Sequence, residues 1–157
     1  MPEQGRLILV VGPSGSGKDT LLDGARVAFC GHDKLRFARR EITRQADAGG
    51  EAHSTVTFEE FAERESKGFY ALAWRAHGLA YGITHQEISG LGNGVHVMVN
   101  TSRTVADQAL LLDPHACVVS IRLPTDTLRK RLINRGRERG GDIEERIERA
   151  EAFNVVG

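Results

Sequence analysis

Residues 6–20 read RLILVVGPSGSGKDT, and the interpretation of this stretch decides the fold. Arg6 to Val11 is a short, nearly unbroken aliphatic and β-branched run that stops at Gly12, as in a strand buried on both faces of a parallel sheet. Further on, Leu21, Leu22, Ala25 and Phe29 recur at helical spacing, and Gly31 stands where a C-terminal cap belongs. That predicts a helix from about Gly17 to Cys30. Between strand and helix lies Gly12-Pro13-Ser14-Gly15-Ser16-Gly17-Lys18, a match to GxxxxGK in the strand–loop–helix setting that gives this pattern its meaning. Glycines let successive backbone N–H groups curl around an anion, the helix N-terminus adds partial positive charge, and the closing lysine bridges the β and γ oxygens of a nucleotide. A plain Gly/Ser linker has no use for a lysine in this register. The expected ATP-binding residues are therefore Gly12, Pro13, Ser14, Gly15, Ser16, Gly17, Lys18, Asp19 and Thr20, with Lys18 also catalytic.

One position departs from the usual loop. The residue after the lysine is ordinarily a Ser or Thr whose hydroxyl binds Mg²⁺. Here it is Asp19, and the hydroxyl comes one residue later, at Thr20. Asp19 and Thr20 are the expected metal residues, Asp19 acting through water while Thr20 caps a phosphate.

Outward from the loop, Val95–Val99 (VHVMV) and Cys117–Leu123 (CVVSIRL) read as further strands, and Arg103–Leu112 and Asp126–Arg135 as helices. Strands alternating with helices imply βαβ units, hence an α/β fold with a parallel sheet flanked by helices. Residues 35–84 break that rhythm. They hold a basic, Gly-containing stretch, a capping-box pattern from Thr57 to Glu60, and two aromatic-bearing runs, FYALAW and LAYGI, around His77 and Gly78. The expected organisation is a single domain over residues 1–157, with a core of 1–34 and 85–127, an insert of 35–84 and an arginine-rich lid of 128–150. In the lid the glycines Gly140 and Gly141 would serve as a hinge.

Composition narrows the function classes. At roughly 100–200 residues per domain, 157 residues make one domain. Twenty-one basic residues balance 21 acidic ones, so bulk electrostatics gives no hold on nucleic acid and any anion binding is local. No apolar run approaches the roughly 18 residues of a membrane helix. Cys30 and Cys117 show neither CxxC spacing nor a disulfide framework, and no secretory signal is evident, so a cytoplasmic compartment is expected. His32, His85, His96 and His115 show no metal spacing. A GTPase would carry a guanine-reading NKxD element, which the sequence lacks. An inserted subdomain together with an arginine lid is what a small-molecule kinase needs: one clamp for the acceptor, another for the phosphoryl group in transfer.

On these residues the chain resembles a known group. The P-loop, ITR at Ile42–Arg44, GGE at Gly49–Glu51, YG at Tyr81–Gly82, and RLINRG followed by ERIERA are similar to the guanylate kinase group of P-loop kinases over essentially the whole chain. Within that group, DAGGEAH at Asp47–His53, LAWRAHGLAYGI at Leu72–Ile83 and VNTSR at Val99–Arg103 resemble the ribose 1,5-bisphosphate phosphokinases of phosphonate catabolism. The resemblance implies transfer of the γ-phosphoryl group of ATP, with Mg²⁺, onto a sugar phosphate to give 5-phosphoribosyl 1-diphosphate. It places the guanine-reading carboxylate of guanylate kinases at Leu72, the aspartate of their third strand at Asn100, and the second arginine of their acceptor clamp at Asp47, while their phosphate-binding tyrosine has no clear counterpart. A leucine accepts no hydrogen bond from guanine, so guanine is not the expected acceptor.

The acceptor-binding residues then expected are Arg44, with Arg39 or Arg40 beside it, for the terminal phosphate, Glu51, His53 and Asn100 for hydroxyls, and Tyr81 and Arg103 nearby. Tyr81 reads equally as packing within the insert, and Arg39 and Arg40 as a solvated face. Arg135 and Arg146 match the two lid arginines of the group and are the expected catalytic partners of Lys18, whereas the other lid arginines read as a salt-bridged helix face. A nucleoside monophosphate kinase and a non-catalytic guanylate kinase-like binding module are the alternatives. Kinases of the group continue past the lid with a further strand, an adenine-contacting loop and a closing helix. The C-terminal end is therefore expected to be short, leaving a neighbouring strand unpaired.

Overall fold

The computed structural model describes residues 3–13, 15–44, 53–134 and 140–152. Ser14, Glu51 and Arg135 among the expected site residues, together with Asp47, lie outside them.

The first strand forms where the apolar run predicts, as β1 at Leu7–Val11, with Leu7, Leu9, Val10 and Val11 all buried. The next elements are α1 (Lys18–Ala28), β2 (Leu35–Phe37), β3 (Arg40–Ile42), β4 (His53–Thr55), α2 (Phe58–Ser66), β5 (Tyr70–Ala76) and β6 (Leu79–Thr84). They are followed by β7 (His96–Asn100), α3 (Ala106–Leu112), β8 (Cys117–Ser120), α4 (Thr125–Asn134) and α5 (Gly140–Ala152). The core is a parallel sheet of order β2-β7-β1-β8, so β1 sits between β7 and β8 and delivers the P-loop at the centre of the sheet's carboxyl edge. A second sheet, β4-β3-β6-β5, mixes one parallel pairing with two antiparallel ones. No helix among the described residues is long and apolar enough to cross a membrane.

Two boundaries differ from the expected ones. Leu35–Phe37 pairs in parallel with β7, so these residues complete the core sheet and the second sheet starts at Arg40. The last core strand ends at Ser120 instead of Leu123 because only Cys117–Ser120 have partners on β1. Among the described residues it is the edge of the sheet, with Val118 41% and Val119 39% exposed.

The inward face of α1 is also rotated from the predicted one. Leu21 and Phe29 are exposed, and the inward stripe instead runs through Leu22, which is buried, and Lys18, Ala25 and Arg26, which are half-buried. Arg26 can take an inward position because its guanidinium lies flat over Phe37, 5.3 Å from the ring centroid.

The second sheet owes its shape to local signals. The capping box forms as read: the Glu60 N–H donates to Thr57 Oγ1 at 3.1 Å and the Thr57 N–H donates to Glu60 Oε2 at 2.8 Å. β5 and β6 join through His77 and Gly78, both at positive φ, the conformation of a tight hairpin turn, so His77 serves the turn. A Cβ on Gly82 would lie 2.5 Å from the Tyr70 ring, which explains the YG pair as packing. On that face α2 lays Phe61 against Tyr70, ring centroids 4.6 Å apart. The opposite face contributes Leu72, Trp74 and Ile83 to one core with Leu7, Leu9, Val97 and Val99, which ties the two sheets together.

Glu41 anchors the second sheet to α2. The Tyr70 hydroxyl donates to its Oε2 at 2.5 Å and Arg64 Nη1 donates to its Oε1 at 2.7 Å. Burial, reinforced by Glu41, raises the Tyr70 pKa far above its ordinary value, so the phenol stays a donor. Hydrogen bonds to charged groups contribute about 1.5–3 kcal/mol. Tyr70→Phe is expected to lower unfolding stability by about that amount in a denaturant titration, with Phe61 packing retained.

Candidate active site

The loop between β1 and α1 takes the path its glycines allow. Gly15 and Gly17 stand at φ 87° and 84°, a region that disfavours side chains. Gly17, the residue before α1, has φ 84° and ψ 16°. The Ser16 N–H donates to the Pro13 carbonyl at 3.1 Å, which curls the chain. Ser16 is 95% buried, and its hydroxyl oxygen has no hydrogen-bond partner among the described residues. A buried polar atom of this kind inside a cradle marks a place for a ligand oxygen or water.

Lys18 opens α1 and turns its ammonium back under the loop. Its Nζ donates to the carbonyls of Gly12 at 3.3 Å and Thr101 at 3.5 Å, which sets the amine between the carboxyl ends of β1 and β7. Asp19, exposed on the first turn, accepts a hydrogen bond from Asn100 Nδ2 at 2.9 Å. Asn100 is only 2% exposed, so the anchor of this carboxylate is fixed. A fixed, solvent-facing carboxylate beside the lysine has the hard oxygen chemistry and the water access of a Mg²⁺ partner, so the residues fit the ion. Thr20 is exposed one residue further around the same helix. No cluster of three or more metal-ligating side chains occurs among the described residues.

Arg131, which the sequence places among the salt-bridged lid arginines, has a different partner. It donates from Nη1 to the Ser16 carbonyl at 3.2 Å and thereby links α4 to the P-loop. Arg146 is half-buried on α5 beside Ile147, part of the small core that α4 and α5 share. The bland reading of the remaining lid arginines holds for Arg149, 2.5 Å from Glu145, and for Arg129, 3.1 Å from Glu144.

The strand register brings several expected acceptor residues onto one face. Arg40 pairs with His53, and Ile42 with both Thr55 and Tyr81, so these side chains point the same way as buried Ile42. Arg40 is half-buried, with its guanidinium 5.5 Å from the Tyr81 ring centroid. Tyr81 in turn stacks on Trp74 at 5.3 Å with 6° between the planes. The solvated-face reading of Arg40 is thus corrected, and its signal was strand alternation with Ile42. Arg39 points out, exposed, its N–H donating to Glu87. Arg44 is half-buried just after β3.

Two expected acceptor residues sit elsewhere. Asn100 lies with Asp19 on the P-loop side. Arg103 lies in the 3₁₀ turn after β7, where burial and the nearby Arg122 charge hold its pKa below the ordinary arginine value. Leu72, where the resemblance places a guanine-reading carboxylate, is fully buried in the joint core.

Comparison with known proteins agrees with this geometry. Residues 1–39 match a family model described as the P-loop containing region of AAA domain. The chain is 46% identical over 145 residues to "Ribose 1,5-bisphosphate phosphokinase PhnN" of Desulfomicrobium baculatum, a match covering 92% of this chain and 78% of that protein. Over 151 residues it is 45% identical to the protein of the same name from Pseudomonas fluorescens, covering 96% and 79%. It is also 46% identical over 149 residues to a "Bifunctional ribose 1,5-bisphosphokinase-thymidine phosphorylase" of Cupriavidus pinatubonensis, but spans only 25% of that longer protein. Among solved structures, guanylate kinase from Anaplasma phagocytophilum superposes with a TM-score of 0.65 at 20% identity, covering 98% of this chain and 76% of that one, a likeness of fold. With its P-loop formed and these relatives matched along nearly all its length, the chain belongs to the ribose 1,5-bisphosphate phosphokinase family, on a guanylate kinase-like α/β fold.

Proposed function

We propose that the chain transfers the γ-phosphoryl group of ATP to the 1-phosphate of ribose 1,5-bisphosphate, giving 5-phospho-α-D-ribose 1-diphosphate and ADP. The observation that carries this reading is the 46% identity, over 92% of the chain, to a relative bearing that name. A 1-phosphate oxygen forms the new bond to the γ-phosphorus, and the bond from that phosphorus to the β,γ-bridging oxygen breaks. The acceptor oxygen is already ionised near neutral pH, so no strong general base is needed. Positioning and charge neutralisation supply the rate.

Lys18 holds the β/γ region, and the backbone N–H groups of residues 15–18 hold the phosphates behind it. Arg131 braces the loop at Ser16. Arg146 and Arg135 offset the charge of the migrating group. Asp19, anchored by Asn100, would hold Mg²⁺ through water, and the ion would supply positive charge toward the transferring group. Arg40, Arg44 and His53 take the distal phosphate of the sugar, and Tyr81 forms a flat wall beneath it.

The test is a side-by-side assay with ATP and Mg²⁺, in which ADP release is followed with ribose 1,5-bisphosphate or with GMP as acceptor. The bisphosphate is expected to be turned over with kcat/KM at least a hundredfold above GMP. Preference for GMP would establish a nucleoside monophosphate kinase instead, and ADP release with neither acceptor above background would favour a binding module.

A further inference from the structure

A cavity of about 240 Å³ lies where the carboxyl ends of β7 and β8 flank the P-loop. Arg103, Arg122, Ser120, Thr125 and Glu151 supply its polar lining, and Pro13 with aliphatic side chains of the segment after β8, of α4 and of α5 supplies the rest. In open α/β sheets ligands bind in the crevice outside the carboxyl ends of the strands. Here the two arginines leave the two strands on either side of β1.

The cavity also adjoins the seat of Lys18. The lysine amine donates to the carbonyls of Gly12 and Thr101, and the chain continues from these directly to Pro13 and, two residues on, to Arg103. A ligand in the cavity therefore lies against the same backbone that carries the phosphate-handling amine. Burial and the nearby Arg122 charge both depress the pKa of Arg103, and the two arginines line one cavity. An anion between them turns that repulsion into two charge-assisted hydrogen-bonded contacts. Size narrows the ligand further. Pockets for drug-sized molecules run to roughly 300–1,000 Å³. A space of about 240 Å³ takes a phosphate with its attached sugar carbon better than it takes a whole nucleotide. The Glu151 carboxylate, also part of the lining, is engaged by Thr125, whose Oγ1 donates to it at 2.9 Å.

We propose that Arg103 and Arg122 form the seat of the acceptor's receiving phosphate, the group to which the phosphoryl is transferred. The assignment deepens the sugar-bisphosphate reading and rests on it. It adds Arg122, which no motif in the sequence singles out, to the binding residues. It also gives a reason for two extra cations here: an acceptor with a phosphate at each end brings more negative charge to ATP than a nucleoside monophosphate does, and its reacting end must be neutralised beside Lys18.

The experiment compares Arg122→Ala, Arg122→Lys and Arg103→Ala with the unmodified chain. For both alanine variants the acceptor KM is expected to rise tenfold or more, with the ATP KM within twofold. Arg122→Lys, a point charge without the guanidinium fork, should fall between. A rise in ATP KM with acceptor KM unmoved, or no change in either, would overturn the assignment. A second measurement is independent of the acceptor's identity. With the P-loop filled by a non-hydrolysable ATP analogue and Mg²⁺, inorganic phosphate should raise the melting temperature of the unmodified chain and not that of Arg122→Ala. If the unmodified chain fails to turn over the bisphosphate yet shows this difference, the function reading falls and the phosphate seat stands. If phosphate stabilises both proteins equally, the seat falls.

Discussion

Lys18→Ala is expected to lower kcat by about 10²–10³ while leaving the fold intact, because removing one preorganised charge from a developing phosphoryl transition state typically costs that much. The structural cost is small: the hydrogen bonds to Gly12 and Thr101, at 3.3 and 3.5 Å, are longer than the usual range, and the lysine is only half-buried. Steady-state kinetics together with a melting curve separates the two effects. A variant within tenfold of the parent kcat would mean that the amine does not face the transferring group. Lys18→Arg should recover little, since the bulkier, planar guanidinium does not fit between the Gly12 and Thr101 carbonyls.

Leu72→Glu is the second large effect, and it acts on stability. Restoring the carboxylate of guanylate kinases at this position looks like a route to GMP activity. Here, however, Leu72 is fully buried against Leu7, Leu9, Val97 and Val99. An uncompensated buried charge costs about 3–5 kcal/mol. Native stability is only about 5–15 kcal/mol in all. The melting temperature is therefore expected to fall by roughly 6–20 °C, at about 2–4 °C per kcal/mol for a domain of this size. No GMP phosphorylation should appear. Leu72→Met, which conserves volume, should cost less than about 1.5 kcal/mol and keep full activity. A stable, GMP-active Leu72→Glu protein would show that this strand face is open to substrate.

The residues that announced the fold are those whose signal is local. LILVV needs no partner to be recognised as a buried strand, GSGK carries its own backbone demands, and the Thr57–Glu60 box lies within four residues. What went unread depends on pairing across long sequence separations. Leu35–Phe37 looked like insert because nothing in LRF says that it will lie beside His96–Met98. The Trp74–Tyr81 stack and the inward turn of Arg40 follow from the register of β3, β5 and β6, which a sequence does not print. Arg26 displaced Leu21 and Phe29 from the inner face of α1 because a guanidinium over Phe37 counts as burial, although its charge reads as solvent-facing.

The same division runs through the site. Lys18 and its loop were legible from spacing alone. Asn100 is expected among acceptor hydroxyls, and the fold adds that its amide also donates to Asp19, 81 positions away. Arg131 and Arg122 were overlooked because arginines are common on exposed helices and strand ends, and only the fold shows one bonded to the Ser16 carbonyl and the other lining a cavity beside the P-loop.

The central claim is that the γ-phosphoryl group of ATP ends on the anomeric phosphate of ribose 1,5-bisphosphate. Phosphorus NMR of the protein with ATP, Mg²⁺ and the bisphosphate follows this directly. The account predicts that the single 1-phosphate resonance gives way to two mutually coupled diphosphate resonances as ADP accumulates, with the 5-phosphate signal retained. An unchanged 1-phosphate resonance while ATP is consumed, or a diphosphate appearing at the 5-position, would contradict it.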